Sequence, residues 1–178
     1  MKRVHIVGIG GSGMSAIARV LHEQGWAVSG SDQQASRFTE ALAALGVGIS
    51  IGHRAENVGE AEVVVMSSAI APDNVEVQAA RGRGLPVYKR ADFLGELMLG
   101  RAGVAIAGTH GKTTTTGLIA HVLQQAGLDP TYIVGGTLLD YDTNARAGAG
   151  PFVIEADEYD HMFLGLNPTI AVVTNVEH

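Results

Sequence analysis

With 178 residues, 46% of them hydrophobic and only 17% charged, the chain can build one large core or two small ones. A formal net charge of −6 with no basic run excludes a nucleic-acid footprint, so an anionic ligand must be held by local loops against the overall field. The complete lack of cysteine removes disulfides, thiolate catalysis and cysteine metal sites together. Met1-Lys2-Arg3, an apolar run and Ala16-Ile17-Ala18 imitate a secretory signal, but His5, Gly8, Gly10, Gly11 and Gly13 interrupt it. No run reaches the length of a membrane span, so the expectation is a soluble cytoplasmic chain without membrane insertion.

The first apolar strand, Val4–Val7, runs into a glycine loop, and a helix is predicted over Met14–Gln24 with Ile17, Val20 and Leu21 on one face. Gly8, Gly10 and Gly13 satisfy the G-x-G-x-x-G spacing of a loop that approaches a diphosphate closely. A second strand, Trp26–Gly30, ends at Ser31-Asp32. Asp32 is therefore placed either for a ribose contact or as a cap or turn residue. The loop suits a dinucleotide or any other nucleotide diphosphate, a UDP-sugar included. A helix near Ser36–Leu45, a strand near Gly48–Ser50 and a buried strand Glu62–Met66 continue the alternation. Ser67 and Ser68 at the carboxyl end of that strand either face a ligand or start the turn before Pro72. A helix near Asn74–Arg83, a strand at Pro86–Tyr88 and a helix near Asp92–Leu99 complete a Rossmann-like, parallel, doubly wound α/β domain over residues 1–99.

After a short linker, Gly100–Gly103, a second α/β unit is expected over 100–178. Its strand Val104–Ala107 feeds the loop Gly108-Thr-His-Gly-Lys-Thr-Thr114, and a helix follows through Gln125. This is a phosphate-binding loop: Gly108 and Gly111 turn backbone N–H groups inward, Thr109 lies between them, and the helix N-terminus adds positive partial charge. Lys112 can reach the terminal phosphates of a nucleotide, and the Thr113 or Thr114 hydroxyl can hold Mg²⁺. The general pattern wants a glycine where Ile106 stands, so the match is to a shorter variant. His110, inside the loop, faces the ligand or caps the turn.

Tyr132–Val134 is read as a short strand and Tyr141–Gly150 as a polar, glycine-rich loop. Phe152–Glu155 is a strand leading into Glu155, Asp157, Glu158 and Asp160. Four carboxylates so close repel unless something neutralises them, and Mg²⁺ beside a nucleotide loop is the natural candidate, with a solvated acidic turn as the alternative. Ile170–Thr174 is another buried strand, followed by Asn175-Val-Glu-His178. Because the sequence stops at a strand's carboxyl end, it is expected to be part of a longer enzyme. His22, His53 and His121 are read as surface or helix-face residues, His5 as packed on the first strand, and His161 as a neighbour of the acidic cluster.

Gly8-Ile-Gly-Gly-Ser-Gly-Met14, Ser67-Ser-Ala-Ile70, Gly108–Thr115, Asn144-Ala145, Glu155-Ala-Asp-Glu158 and Thr174-Asn-Val-Glu177 occur in this order over nearly the whole chain. Together they resemble the Mur ligase family of peptidoglycan synthesis, and the first of them is most similar to its alanine-adding branch. The resemblance implies ATP- and Mg²⁺-dependent amide formation between the lactyl carboxylate of UDP-N-acetylmuramate and L-alanine through an acyl phosphate. It also implies that Lys112 stabilises the transferring phosphoryl group and that Thr113 and Glu155, rather than Glu158, lie at Mg²⁺. By the same resemblance Gly10, Gly11, Ser12, Asp32, Ser67 and Ser68 hold the UDP portion, and His110 and Asn144 lie near the sugar and the reacting carboxylate. Two departures are visible. Tyr159 replaces a serine common in the acidic motif, and His178 falls two positions before the family's metal-binding histidine. The family's third domain, which binds the amino acid, has no counterpart here, so the chain is expected to bind a UDP-sugar without turning over.

Three competing readings remain. The branch that recycles a murein tripeptide onto the same UDP-sugar shares these motifs. An NAD(P)-dependent oxidoreductase explains Gly8–Gly13 and Asp32 but not Lys112, the threonines or the acidic cluster. A non-catalytic nucleotide-sugar-binding module is the third.

Overall fold

The computed structural model describes residues 1–158 and 163–177; Tyr159, Asp160, His161 and His178 of the motifs above lie outside them. The chain divides into two compact units, Met1–Arg90 and Ala91–His178.

The first unit holds β1 (Arg3–Val7), α1 (Ser12–Glu23), β2 (Ala27–Asp32), α2 (Arg37–Ala44), β3 (Gly48–Ile51), β4 (Val63–Met66), α3 (Val75–Gly82) and β5 (Val87–Lys89), with a 3-10 turn at Ala55–Val58. The five strands form one sheet in the order β3-β2-β1-β4-β5, every pair parallel. Val4, Ile6 and Val7 of β1 and Val64 and Val65 of β4 are buried, as strands covered on both faces require. The register sets Val7 beside both Ser31 and Met66, which levels the carboxyl ends of β1, β2 and β4 into one edge. Local chemistry fixes where the helices start. Ser36 and Thr39 make a reciprocal capping box on α2, and the Asn74 side chain accepts from the Glu76 and Val77 amides at the head of α3. Beneath α3, Val7, Val58, Ala61, Val64, Met66, Val77 and Ala80 pack as one cluster. Each such branched side chain stabilises the fold by about 1.5–3 kcal/mol.

The second unit holds most of α4 (Arg90–Met98), then β6 (Gly103–Ala107), α5 (Lys112–Gln125), β7 (Thr131–Leu138), β8 (Thr143–Arg146), β9 (Phe152–Glu155) and β10 (Ile170–Val173). Its sheet runs β10-β6-β9-β7-β8, parallel except for the β7–β8 pair. That antiparallel hairpin corrects the expectation of a loop over Tyr141–Gly150. Thr143 and Ala145 point inward and Asn144 and Arg146 are half-buried, a true period of two that the small residues hide in the sequence. Asp142, at φ +47°, closes the turn. Ile106, Ala120, Tyr132, Val134 and Val153 form the core under α5.

The compact units part at Arg90–Ala91, ahead of the expected division at 99/100. The reason is packing. A Cβ on Gly95 would lie 2.2 Å from the Gly165 carbonyl oxygen and one on Gly103 would meet the Met98 side chain, so α4 lies against the second unit. Among the described residues no helix is long and apolar enough to cross a membrane.

Candidate active site

The phosphate loop bridges the carboxyl end of β6 and the start of α5. Gly108 and Gly111 adopt φ +136° and +81°, conformations that side chains with a Cβ rarely take. The segment after β10 wraps the loop. Thr109 N donates to Asn175 O (3.2 Å), His110 N to Asn175 Oδ1 (2.9 Å), and Glu177 N to Thr109 Oγ1 (3.3 Å). Thr174 Oγ1 lies 2.6 Å from the His110 carbonyl oxygen, to which it donates. The Thr109 and His110 amides are thereby committed to holding the loop. Among the described residues no cap side chain takes up the first-turn amides of α5, Lys112 to Thr114, which leaves them as donors at the loop. Lys112 Nζ donates to Gly108 O (2.6 Å) and pairs with Glu158 (2.9 Å), whose carboxyl the lysine holds below the usual carboxylate range. The His110 side chain is 72% exposed, 3.7 Å from the Glu177 carboxylate, so it does not cap the turn.

Among the described residues the acidic cluster does not converge, Asp160 lying outside them. Glu155, at the end of β9, accepts from Gly135 N (2.5 Å) and Thr113 Oγ1 (3.3 Å), whereas Glu158 turns to Lys112. Among the described residues, no three acidic or histidine side chains gather around one point. Thr113 and Glu155 do meet, and a hydroxyl with a carboxylate is the hard-oxygen pair that Mg²⁺ takes when phosphate oxygens and water complete its shell. The donor set fits that ion. Thr114 follows in the same turn of α5.

In the first unit the glycine loop hangs from the end of β2. Gly8 N and Ile9 N both donate to Ser31 O, at 2.8 and 3.0 Å, and Gly10 N donates to Asp32 Oδ2 at 2.8 Å. A Cβ on Gly10 would stand 2.8 Å from that carboxylate oxygen, so only glycine fits. Asp32 therefore shapes the loop, with Oδ1 left to a long contact from Gln34 N (3.4 Å). Gly11 precedes α1 without a side-chain cap, and an added Cβ there meets only Gly8 O at 3.8 Å; Ser12 opens the helix. The first-turn amides of α1 are thus a second anion-binding helix end. Ser67 lies against Gly8 and its Oγ accepts from Ala69 N (3.3 Å), which is the turn-starting role, while Ser68 is exposed.

Asn144 sits half-buried on β8, not on a loop. Sequence reasoning passed over Thr174, Asn175 and Glu177 as loop supports, although short polar residues at a strand's carboxyl end were the available signal. It also passed over Arg90, whose guanidinium would lie 2.5 Å from a Cβ on Gly13. His53 is corrected from surface to interior: its side chain is 10% exposed and its Nδ1 lies 3.1 Å from Ser31 Oγ. His5 is buried, as expected, with Nδ1 2.9 Å from Ser29 Oγ. His121, on α5, contacts Tyr141 Oη at 3.1 Å.

Known proteins are similar to the chain in sequence and fold. The chain is 57% identical to UDP-N-acetylmuramate–L-alanine ligase of Sorangium cellulosum and 54% identical to that of Methylibium petroleiphilum, over 99% of its length. It spans 38% of the length of these curated relatives. Among solved structures, UDP-N-acetylmuramate–alanine ligase of Thermotoga maritima superposes with a TM-score of 0.92 at 34% identity, covering 99% of this chain and 42% of that one. The UDP-N-acetylmuramate:L-alanyl-γ-D-glutamyl-meso-diaminopimelate ligase of Neisseria meningitides gives 0.90 at 34% identity, covering 99% of this chain and 61% of that one. The family model "Mur ligase family, catalytic domain" matches residues 3–102, and "Mur ligase middle domain" matches 106–178. A glycine loop on one parallel sheet, a phosphate loop on the next and these two models in sequence lead to one assignment: the chain belongs to the Mur ligase family.

Proposed function

We propose that the chain carries the UDP-sugar-binding domain and the phosphate-binding part of the ATP domain of a ligase that joins L-alanine to UDP-N-acetylmuramate. The observation that carries this reading is the phosphate loop with Lys112 at its mouth and Glu155 facing Thr113. The alanine assignment is supported by the 54–57% identity to alanine-adding ligases across the chain. The functional division is placed at 99/100, just before Gly100 (φ +76°), so that α4 closes the UDP-sugar domain in sequence while packing on the second unit. Work in peptidoglycan precursor synthesis places the enzyme in the cytoplasm.

The lactyl carboxylate attacks the γ-phosphorus of ATP, its bond to the β-phosphate oxygen breaks, and ADP leaves behind an acyl phosphate. The alanine amine then attacks the acyl carbon, losing a proton as inorganic phosphate departs. Such chemistry asks the protein for position and charge, not for covalent help. Lys112 places its cation at the transferring phosphoryl group, and Gly108, Thr109, Gly111, Thr113 and Thr114 shape and line the phosphate cradle. Thr113 and Glu155 would hold Mg²⁺, which would supply charge neutralisation at the phosphate oxygens. Gly10, Gly11 and Ser12 receive the UDP diphosphate at the head of α1, with Asp32, Ser67 and Ser68 around them. His110 and Asn144 orient the sugar and its carboxylate.

The murein-peptide reading stays as the second, because the two solved ligases match the chain at the same 34% identity. Phosphate release by the natural protein containing this chain separates them. Release that needs ATP, UDP-N-acetylmuramate and L-alanine together supports the alanine ligase. Release with L-alanyl-γ-D-glutamyl-meso-diaminopimelate in place of alanine moves the assignment to the second reading, and ATP hydrolysis indifferent to all of them contradicts both.

A further inference from the structure

Beneath the glycine loop lies a carboxylate that this chemistry does not use. Glu76, in the first turn of α3, is fully buried. Its Oε2 accepts from Ser31 Oγ at 2.5 Å and lies 3.3 Å from His53 Nδ1 and 3.5 Å from His5 Nε2. Its Oε1 accepts from Asn57 Nδ2 (2.5 Å) and Arg54 N (3.2 Å). These donors come from β1, from the end of β2 and from the segment that follows β3. Burying an ionised carboxylate is strongly unfavourable unless it is paired and hydrogen-bonded, and no neutral side chain offers acceptor positions for so many donors at once. The hydrogen bonds outweigh the burial, and the group stays ionised.

The consequence runs through Ser31. Its side chain is locked by Glu76, and its carbonyl oxygen receives both Gly8 N and Ile9 N. The next residue, Asp32, receives Gly10 N. Three consecutive amides of the glycine loop therefore hang from a dipeptide that Glu76 fixes from below. We propose that Glu76 is the positioning residue of the UDP-sugar site: it touches no ligand, and it sets the glycine loop through Ser31 and Asp32. This rests on the reading of the first unit as a UDP-sugar domain.

Glu76→Gln tests it, because the amide keeps the shape but turns an N–H pair toward groups that themselves donate. Two quantities are read on this chain: the affinity for UDP-N-acetylmuramate by calorimetry, and amide hydrogen exchange by NMR. The expected result is at least tenfold weaker binding and at least tenfold faster exchange at Gly8 and Ile9. The Thr115 amide, bonded to Gly111 O in the second unit, should stay within twofold. Ser31→Ala cuts the same link with little change in volume and gives the same signature should the first variant fail to fold. A lower unfolding midpoint with both quantities within twofold of the parent marks a merely structural residue and overturns the proposal. If the parent itself does not bind the UDP-sugar, the substrate assignment falls. The exchange at Gly8 and Ile9 still reports whether Glu76 holds the loop, so the two failures are distinguishable.

Discussion

Substituting Gly108 by alanine loads the phosphate loop at its tightest point. At φ +136° an alanine carries backbone strain of about 1–3 kcal/mol. Its Cβ would stand 2.0 Å from Thr174 Oγ1 and 3.1 Å from the Asn175 backbone N and O. Thr174 must then give up its contacts with the His110 carbonyl (2.6 Å) and the Ala107 carbonyl (3.2 Å), at about 1 kcal/mol each. Gly127→Ala is the matched control, since Gly127 also has a positive φ (+73°) but an added Cβ there meets nothing within 4 Å. The difference between the two variants contains the collision together with the harsher strain of φ +136°, and should amount to at least about 2–3 kcal/mol, or roughly 5–10 °C in unfolding midpoint for a chain of this size. Circular dichroism melting gives the number. Gly108→Ala melting within about 1 °C of Gly127→Ala would refute the argument that Thr174 and Asn175 brace this loop.

Lys112→Ala should weaken binding of an ATP analogue by about a hundredfold or more, the scale of losing a charge-stabilising donor, with little change in unfolding midpoint; calorimetry and melting check the two halves. Glu155→Gln should abolish the difference between nucleotide affinities measured with and without Mg²⁺, because the carboxylate facing Thr113 is gone. Phe152→Ala, at a fully buried position between β6 and β7, should cost about 3–5 kcal/mol in urea unfolding. Burial alone would raise the Glu76 carboxyl, but His5 beside it and hydrogen bonds from Ser31, Asn57 and Arg54 N hold it at about 2 against an ordinary 4.5. Since the folded-state value is depressed, its stabilisation is present above about pH 4.5 and is lost as pH falls toward 2, on the order of 3 kcal/mol in all. Urea unfolding at a series of pH values should show that slope, and Glu76→Gln should flatten it.

The sheets and helices were legible because each strand of a parallel sheet is an apolar run and each loop is punctuated by glycine. Ser36 and Asn74 even announced their helices by type. What stayed hidden depended on contacts distant in sequence. β8 was read as a loop because Asn144 and Ala145 carry little strand propensity; its pairing with Tyr132 and Ile133 supplies what propensity does not. Glu76 looked like an ordinary helix-opening acid, and only the fold brings Ser31, His53 and Asn57 to it. The phosphate loop was readable from Gly108 to Thr114, whereas its support by Asn175 crosses more than sixty residues of chain. Asp32 was found by its place at the end of β2, but its hold on Gly10 is a contact that only the fold brings about.

Titration of the chain with UDP-N-acetylmuramate, run beside NADH, tests the central claim most directly. Gly11→Val is the companion variant, because the fold leaves room for its Cβ while the side chain fills the approach to the head of α1. Saturable binding of the UDP-sugar, lost in Gly11→Val with the unfolding midpoint preserved, is the result expected. Binding of NADH with no response to the UDP-sugar would contradict it and make the glycine loop a redox-cofactor site.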